Sequence, residues 1–137
     1  MIDKINIRVY GICIKNQAVL SLHEEYAGEF LTKLPGGGLE YGESVIACLK
    51  REFSEELNVE IDVVKHFYTQ EEFLVSRFRE NEQLLTIYYL CEIKNEEDML
   101  IIDPCIETAE WIPLTKENPF PLPIDNIVFE KLKQEYL

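Results

Sequence analysis

The sequence predicts a mixed α/β (α+β) sandwich, dominated by strands and completed by two helices. Three observations lead there. Apolar and polar residues alternate through several stretches of strand length, KINIRVYGICI and QLLTIYYLCEI among them. Residues 44–57 and 125–136 instead carry their apolar residues at helical spacing. With 137 residues, 47% of them hydrophobic, the chain is long enough to close one core without disulfide or metal staples.

The elements follow in order. KINIRVYGICI (4–14) alternates and then turns wholly apolar, as a strand does on entering a core. AVLSLHE (18–24) comes after the turn-like KNQ, so a hairpin is expected. FLTKL (30–34) is a further strand, and the PGGG behind it is expected to break regular structure. In the helix over 44–57, Ile46, Leu49, Phe53 and Leu57 project into a stripe about 80° wide. VEIDVVKHFYTQEEFLV (59–75) and QLLTIYYLCEI (83–93) read as two long strands around the polar SRFRENE. Residues 95–108 are expected to be loop, with room for a short strand at MLII. AEWIPL (109–114) is a short strand stopped by Pro113, with Trp111 read as core. NPFPLPID is a proline-punctuated loop, and 125–136 form a terminal amphipathic helix with Ile127, Val128, Phe129 and Leu132 in its apolar pattern. No linker or repeat divides the chain, so 1–137 is expected to be a single domain.

The net charge of −13 argues against a nucleic-acid partner, since no basic stripe counters it. No apolar run approaches the ~20 residues of a membrane span. The N-terminus MIDKINIRVY is a charged alternating strand and not a signal peptide, so a cytoplasmic protein without membrane contact is expected. Cys13, Cys48, Cys91 and Cys105 form no CxxC pair and are read as free thiols. His23 and His66 have no cysteine at zinc-ligand spacing.

One stretch resists a purely structural reading. Glu52, Glu55 and Glu56 fall in an arc about 100° wide beside the apolar stripe, at contact spacings where like charges repel. They also occupy the C-terminal half of the helix, where the dipole disfavours negative charge by roughly 0.3–1 kcal/mol each. A solvated acidic face is the ordinary explanation, yet no lysine is interleaved at the relieving position; Arg51 reaches Glu55, and Lys50 lies on the far side. The preceding PGGGLEYGE supplies Gly36, Gly37, Gly38 and Gly42, which let a backbone approach a ligand and aim carbonyls at a cation. Carboxylates and carbonyls together suit a hard divalent ion such as Mg²⁺.

From Gly37 the chain runs glycine, five residues, Glu43, seven residues, Arg51-Glu52-Phe53, one residue, Glu55-Glu56, one residue, Asn58-Val59. This resembles the Nudix box, with Asn58 in place of the last glycine and Phe53 in place of an aliphatic residue. Asparagine is the next-best residue for the left-handed helix terminus that position requires. The resemblance implies a Nudix-type α/β/α sandwich with a mixed central sheet, one catalytic loop-helix-loop and a C-terminal helix. It implies a pyrophosphohydrolase that cleaves a nucleoside diphosphate linked to another moiety, a nucleotide sugar or nucleoside triphosphate for example, using Mg²⁺ or Mn²⁺. Glu52, Glu55 and Glu56, with the Gly37 carbonyl, would then hold metal, while Glu43 and Arg51 organise loop and helix.

The family's general base is either the residue matching Glu52 or a later loop acid, for which Glu107, Glu110, Glu96, Glu97 and Asp98 stand as candidates. Arg77 and Arg79 are the candidates for a distal phosphate, and Phe30, Tyr26 and Phe120 for stacking on a base. Subfamily signatures leave the leaving group open. The family's habit allows a homodimer, and the alternative reading is a catalytically silent Nudix-like sensor of a nucleotide sugar.

Overall fold

The computed structural model describes the backbone of residues 1–137 and every side chain except that of Tyr26. Strands β1 (Lys4–Ile12), β2 (Ile14–Lys15), β3 (Ala18–Tyr26), β4 (Glu29–Lys33) and β5 (Gly36–Gly38) lead into helix α1 (Val45–Leu57). Strands β6 (Ile61–Thr69), β7 (Glu82–Ile93) and β8 (Ile106–Pro113) follow, and helix α2 (Pro123–Tyr136) ends the chain. One sheet has the order β5-β1-β7-β6 and is mixed: β1 runs parallel to β7, and the outer pairs are antiparallel. The second sheet is antiparallel, with β3 at its centre between β4 and β8 and with β2 joined to β3.

The alternation in β1 and β7 divides the core in two. Tyr10, Ile12, Tyr88 and Leu90 pack with Val128, Phe129 and Leu132 of α2. Val9, Cys13 and Cys91 pack with Leu49, Phe53 and Leu57 of α1. A sheet whose strands are apolar on both faces must be covered on both, so a helix lies against each. Phe53, bulky for its position, is accommodated opposite Gly11, where a Cβ would come within 2.5 Å of its ring.

Three expectations need correction. The PGGG segment does not simply break structure: Gly36–Gly38 pair antiparallel with Arg8–Tyr10 and form the edge of the mixed sheet. The strand expected over 59–75 ends at Thr69. There the Gln70 side chain takes over ladder positions on β7, donating to the Leu84 carbonyl and accepting from the Thr86 amide and hydroxyl. The chain then loops away and pairs with β7 again at a Val75–Gln83 bridge. The MLII segment is no strand either; its backbone caps α1, with Leu100 N–H donating to Leu57 O at 3.0 Å and Ile102 N–H to Glu56 O at 3.0 Å.

The pairing of the glycine segment depends on Gly36, which has φ +146° and lies so close to β1 that a Cβ would stand 2.1 Å from the Val9 carbonyl. Gly36→Ala should therefore lower unfolding stability by roughly 3 kcal/mol or more, whereas Gly42→Ala, facing open space at φ +84°, should cost about 1 kcal/mol from the backbone alone. Urea melts of the two variants check this.

Candidate active site

Helix α1 is held at both ends by its own sequence. Ser44 accepts a hydrogen bond from Ala47 N–H at 3.0 Å as N-cap. Asn58 ends the helix at φ 57°, ψ 35°, the left-handed conformation expected of it, and its amide donates to Ser54 O. The loop before the helix is tied to it by Arg51. This guanidinium donates to Glu43 through Nε at 3.0 Å and Nη2 at 2.8 Å, and Nη2 also reaches the Gly38 carbonyl at 3.1 Å. Nη1 turns to the acids, Glu52 at 2.9 Å and Glu55 at 3.2 Å. These hydrogen bonds lower the Glu43 carboxyl to about 2 and keep Arg51 firmly charged.

The three acids occupy different environments. Glu55 is exposed, with its side chain 60% accessible. Glu52 packs against Gly37, where a Cβ would meet its carboxyl carbon at 2.5 Å, so only glycine leaves room for it. Glu56 is 5% exposed and accepts from Gly36 N–H at 3.1 Å. Burial pushes Glu56 up to about 8, offset partly by Lys33 and reinforced by Glu52. Burial also raises Glu52, against the pull of Arg51 and with a push from Glu55. The repulsion anticipated from helical spacing is present, and desolvation exceeds it.

A divalent cation fits this donor set. Two desolvated carboxylates lie side by side over a glycine loop, and every donor is a hard oxygen. Among the described residues no three acidic, histidine or cysteine side chains close on one point. The donors thus form an open, helix-borne face and no complete cage. That arrangement suits Mg²⁺, which keeps water and substrate oxygens in its shell.

A cavity of about 960 Å³ is walled by β1, β3, β4, β7, the loops after β5 and β6 and the start of α2; no residue of α1 lines it. Arg77 and Arg79 line it, but the Arg77 guanidinium is engaged by Glu29 at 2.8 Å. The other candidates are scattered. Glu107 is exposed on β8 and is absent from the cavity wall, Glu110 is held by His23 at 2.7 Å, and Glu96 is held by Lys15 at 2.5 Å. Asp98 accepts from Asn95 at 3.1 Å, and Glu97 is exposed in the same turn. Phe30 is 68% exposed outside the cavity wall. Phe120, expected near a base, instead lies 2% exposed in the core against Phe129. Trp111 is partly buried beneath the Lys15 ammonium, and the Tyr26 side chain lies outside the described residues.

Five buried polar residues of the wall escaped the sequence reading: Glu24, Lys33, Glu82, Thr86 and Asp125. Burial works to lower Lys33, but Tyr10, Glu56 and Glu24 outweigh it, so the ammonium stays charged. Asp125, at the start of α2, accepts from Tyr88 Oη at 2.5 Å and Leu34 N–H at 3.2 Å. A lone Lys between Thr and Leu, or an Asp in a proline loop, carries no local signal of this burial.

Comparison with known proteins places this geometry. A family model for the NUDIX domain matches residues 5–131. A MutT NUDIX hydrolase from Burkholderia pseudomallei superposes with a TM-score of 0.79 at 17% identity, over 93% of this chain and 98% of that one. A MutT protein from Methanosarcina mazei gives 0.76 at 17% identity, over 98% and 97% of the two chains. An ADP-ribose pyrophosphatase from Streptococcus suis gives 0.68 at 12% identity, over 96% and 92%. At these identities the likeness shows the fold. A search of curated proteins found no match.

The environment of Glu56 has a consequence for stability. Its folded value of about 8 lies above the ordinary 4.5, so its contribution is full below pH 4.5 and is lost as pH rises through 8. In chelator, Glu56→Gln should be more stable than wild type at pH 9 by on the order of 2 kcal/mol, and the difference should vanish near pH 4. Thermal melts across that range check it.

Proposed function

This chain belongs to the Nudix hydrolase family, and we propose that it cleaves the pyrophosphate bond of a nucleoside diphosphate linked to another moiety, with Mg²⁺ or Mn²⁺ as cofactor. The observation that carries this reading is the desolvated pair Glu52 and Glu56, set against the backbone of Gly36 and Gly37. A divalent ion supplies neutralisation of the phosphate oxygens and acidification of the attacking water. Glu52, Glu55, Glu56 and the Gly37 carbonyl would hold it.

The chain's own groups set the rest. Arg51 fixes Glu52 by one oxygen, Oε1, so Oε2 is left to take the proton of the attacking water. Glu43 holds Arg51 by its Nε and Nη2 and thereby the approach of the loop to the helix. The later acids Glu96, Glu110 and Asp98 already have partners in the fold, which favours Glu52 as the base. The cavity, which meets the site through the loop after β5 and Lys33, would receive the nucleoside. The neighbours named MutT and ADP-ribose pyrophosphatase act within this reaction class, and the substrate here would be a small nucleotide. The same reading takes residues 1–137 as one domain working in the cytoplasm. Among the described residues no helix is long and apolar enough to cross a membrane.

Glu52→Gln and Glu56→Gln should each lower Mg²⁺-dependent turnover by about 10²-fold or more. Phosphatase-coupled phosphate release, run over nucleoside triphosphates, sugar nucleotides and dinucleoside polyphosphates, measures it. Near wild-type rates in both variants would remove the site assignment.

A further inference from the structure

Lys33 and Glu24 are charges buried in the cavity wall, and beyond the offset that Lys33 gives Glu56 the reaction above assigns them no part. Lys33 is 6% exposed and Glu24 8% exposed, on neighbouring strands β4 and β3. Lys33 Nζ lies 3.4 Å from Glu24 Oε1 as an ion pair. Among the described residues neither the ammonium nor the carboxylate has an aligned hydrogen bond. An ammonium carries three donors and a carboxylate about four acceptor positions. Among the described residues no side-chain nitrogen or oxygen closed to solvent lacks a partner, so the unfilled positions of this pair open onto the cavity, where a ligand can take them. The other buried carboxylates of the wall differ: both oxygens of Asp125 already accept a hydrogen bond, and Glu82 accepts from Asn6 at 3.4 Å and pairs with Lys4 at 3.6 Å.

The surroundings narrow the ligand. Glu24 sits at a register shift in the β3–β8 pairing, the kind of irregularity that re-aims a side chain. The Tyr10 ring, stacked on Tyr88 with centroids 5.3 Å apart, lies 5.7 Å from Lys33 Nζ, and Leu31 and Ile124 add apolar wall. A wall that combines aromatic and apolar surface with polar groups suits a flat heterocycle. The pair sums to zero charge, which suits a neutral edge better than a phosphate. It offers one donor-only and one acceptor-only group side by side, and a lactam, a ring carbonyl next to a ring N–H, answers both.

We propose that Lys33 and Glu24 read the lactam edge of the substrate's base, the carbonyl accepting from Lys33 and the ring N–H donating to Glu24. The substrates are then nucleotides of guanine, hypoxanthine, uracil or thymine. Adenine and cytosine in the same pose set an amino group against the ammonium and a ring lone pair against the carboxylate, so both contacts turn repulsive. The substrate role rests on the hydrolase reading above; the binding preference does not.

The test needs only the intact protein in Mg²⁺ and product-like probes that differ at this edge alone. By titration calorimetry, IMP should bind at least about 10-fold more tightly than AMP, and UMP than CMP. Lys33→Met and Glu24→Gln should each shrink both ratios to within about 3-fold. Equal affinities in wild type, no detectable binding of IMP or UMP, or ratios that survive both folded variants overturn the proposal. If neither variant folds, the two wild-type ratios decide. Binding selectivity without turnover on any nucleotide would sink the hydrolase reading and spare this one; turnover without selectivity would sink this one alone.

Discussion

The Arg51 guanidinium joins the glycine loop to the helix, and the candidate site is organised around that junction. Its fork on Glu43 and its bond to the Gly38 carbonyl hold the loop, while its remaining nitrogen holds Glu52 and Glu55. Lysine has the charge but not the planar set of donors that serves four partners in different directions. Without this junction the carboxyls would be free to swing apart, which is what their repulsion favours.

The site is also an electrostatic compromise. A helix with acids in its C-terminal half and no basic residue in its last turn works against its own dipole. The structure offsets this from outside the helix. Lys33 approaches from β4, the Gly36 amide donates from β5, and the MLII backbone satisfies the carbonyls of Glu56 and Leu57. Leu49, Phe53 and Leu57 are fully buried and contribute roughly 1.5–3 kcal/mol each. That is enough to hold the helix in place while its acidic face stays unfavourable in the absence of a cation.

What was legible in the sequence was local. Asn58 as a left-handed terminus, the apolar stripe in which Leu49, Phe53 and Leu57 are buried, and the Arg51–Glu55 pairing depend on neighbours within a turn or so. What was not legible depends on partners far along the chain. Gly36–Gly38 look like a break because glycine has low strand propensity, and they become a strand only because Arg8–Tyr10 present a free edge. Gln70 ends β6 through bonds to Leu84 and Thr86 that no window around residue 70 contains. Phe120 sits between prolines and reads as exposed, but α2 folds back and buries it against Phe129.

The charges in the cavity wall show the same limit in its sharpest form. Counting from sequence, Lys33 is one of thirteen basic residues in a chain of net charge −13, and nothing sets it apart. Its distinction comes from strand alternation: Lys33 and Leu31 share a face of β4, Glu24 stands across from Leu31 on β3, and that face turns to the cavity. On the proposed reading the Nudix helix sets where the bond would be cleaved, while discrimination between substrates would fall to residues outside the box that become neighbours only through sheet register. A box can be recognised in one sequence because its chemistry is local. Substrate choice, read as proposed, would resist the same treatment because its residues meet only in the wall between two sheets.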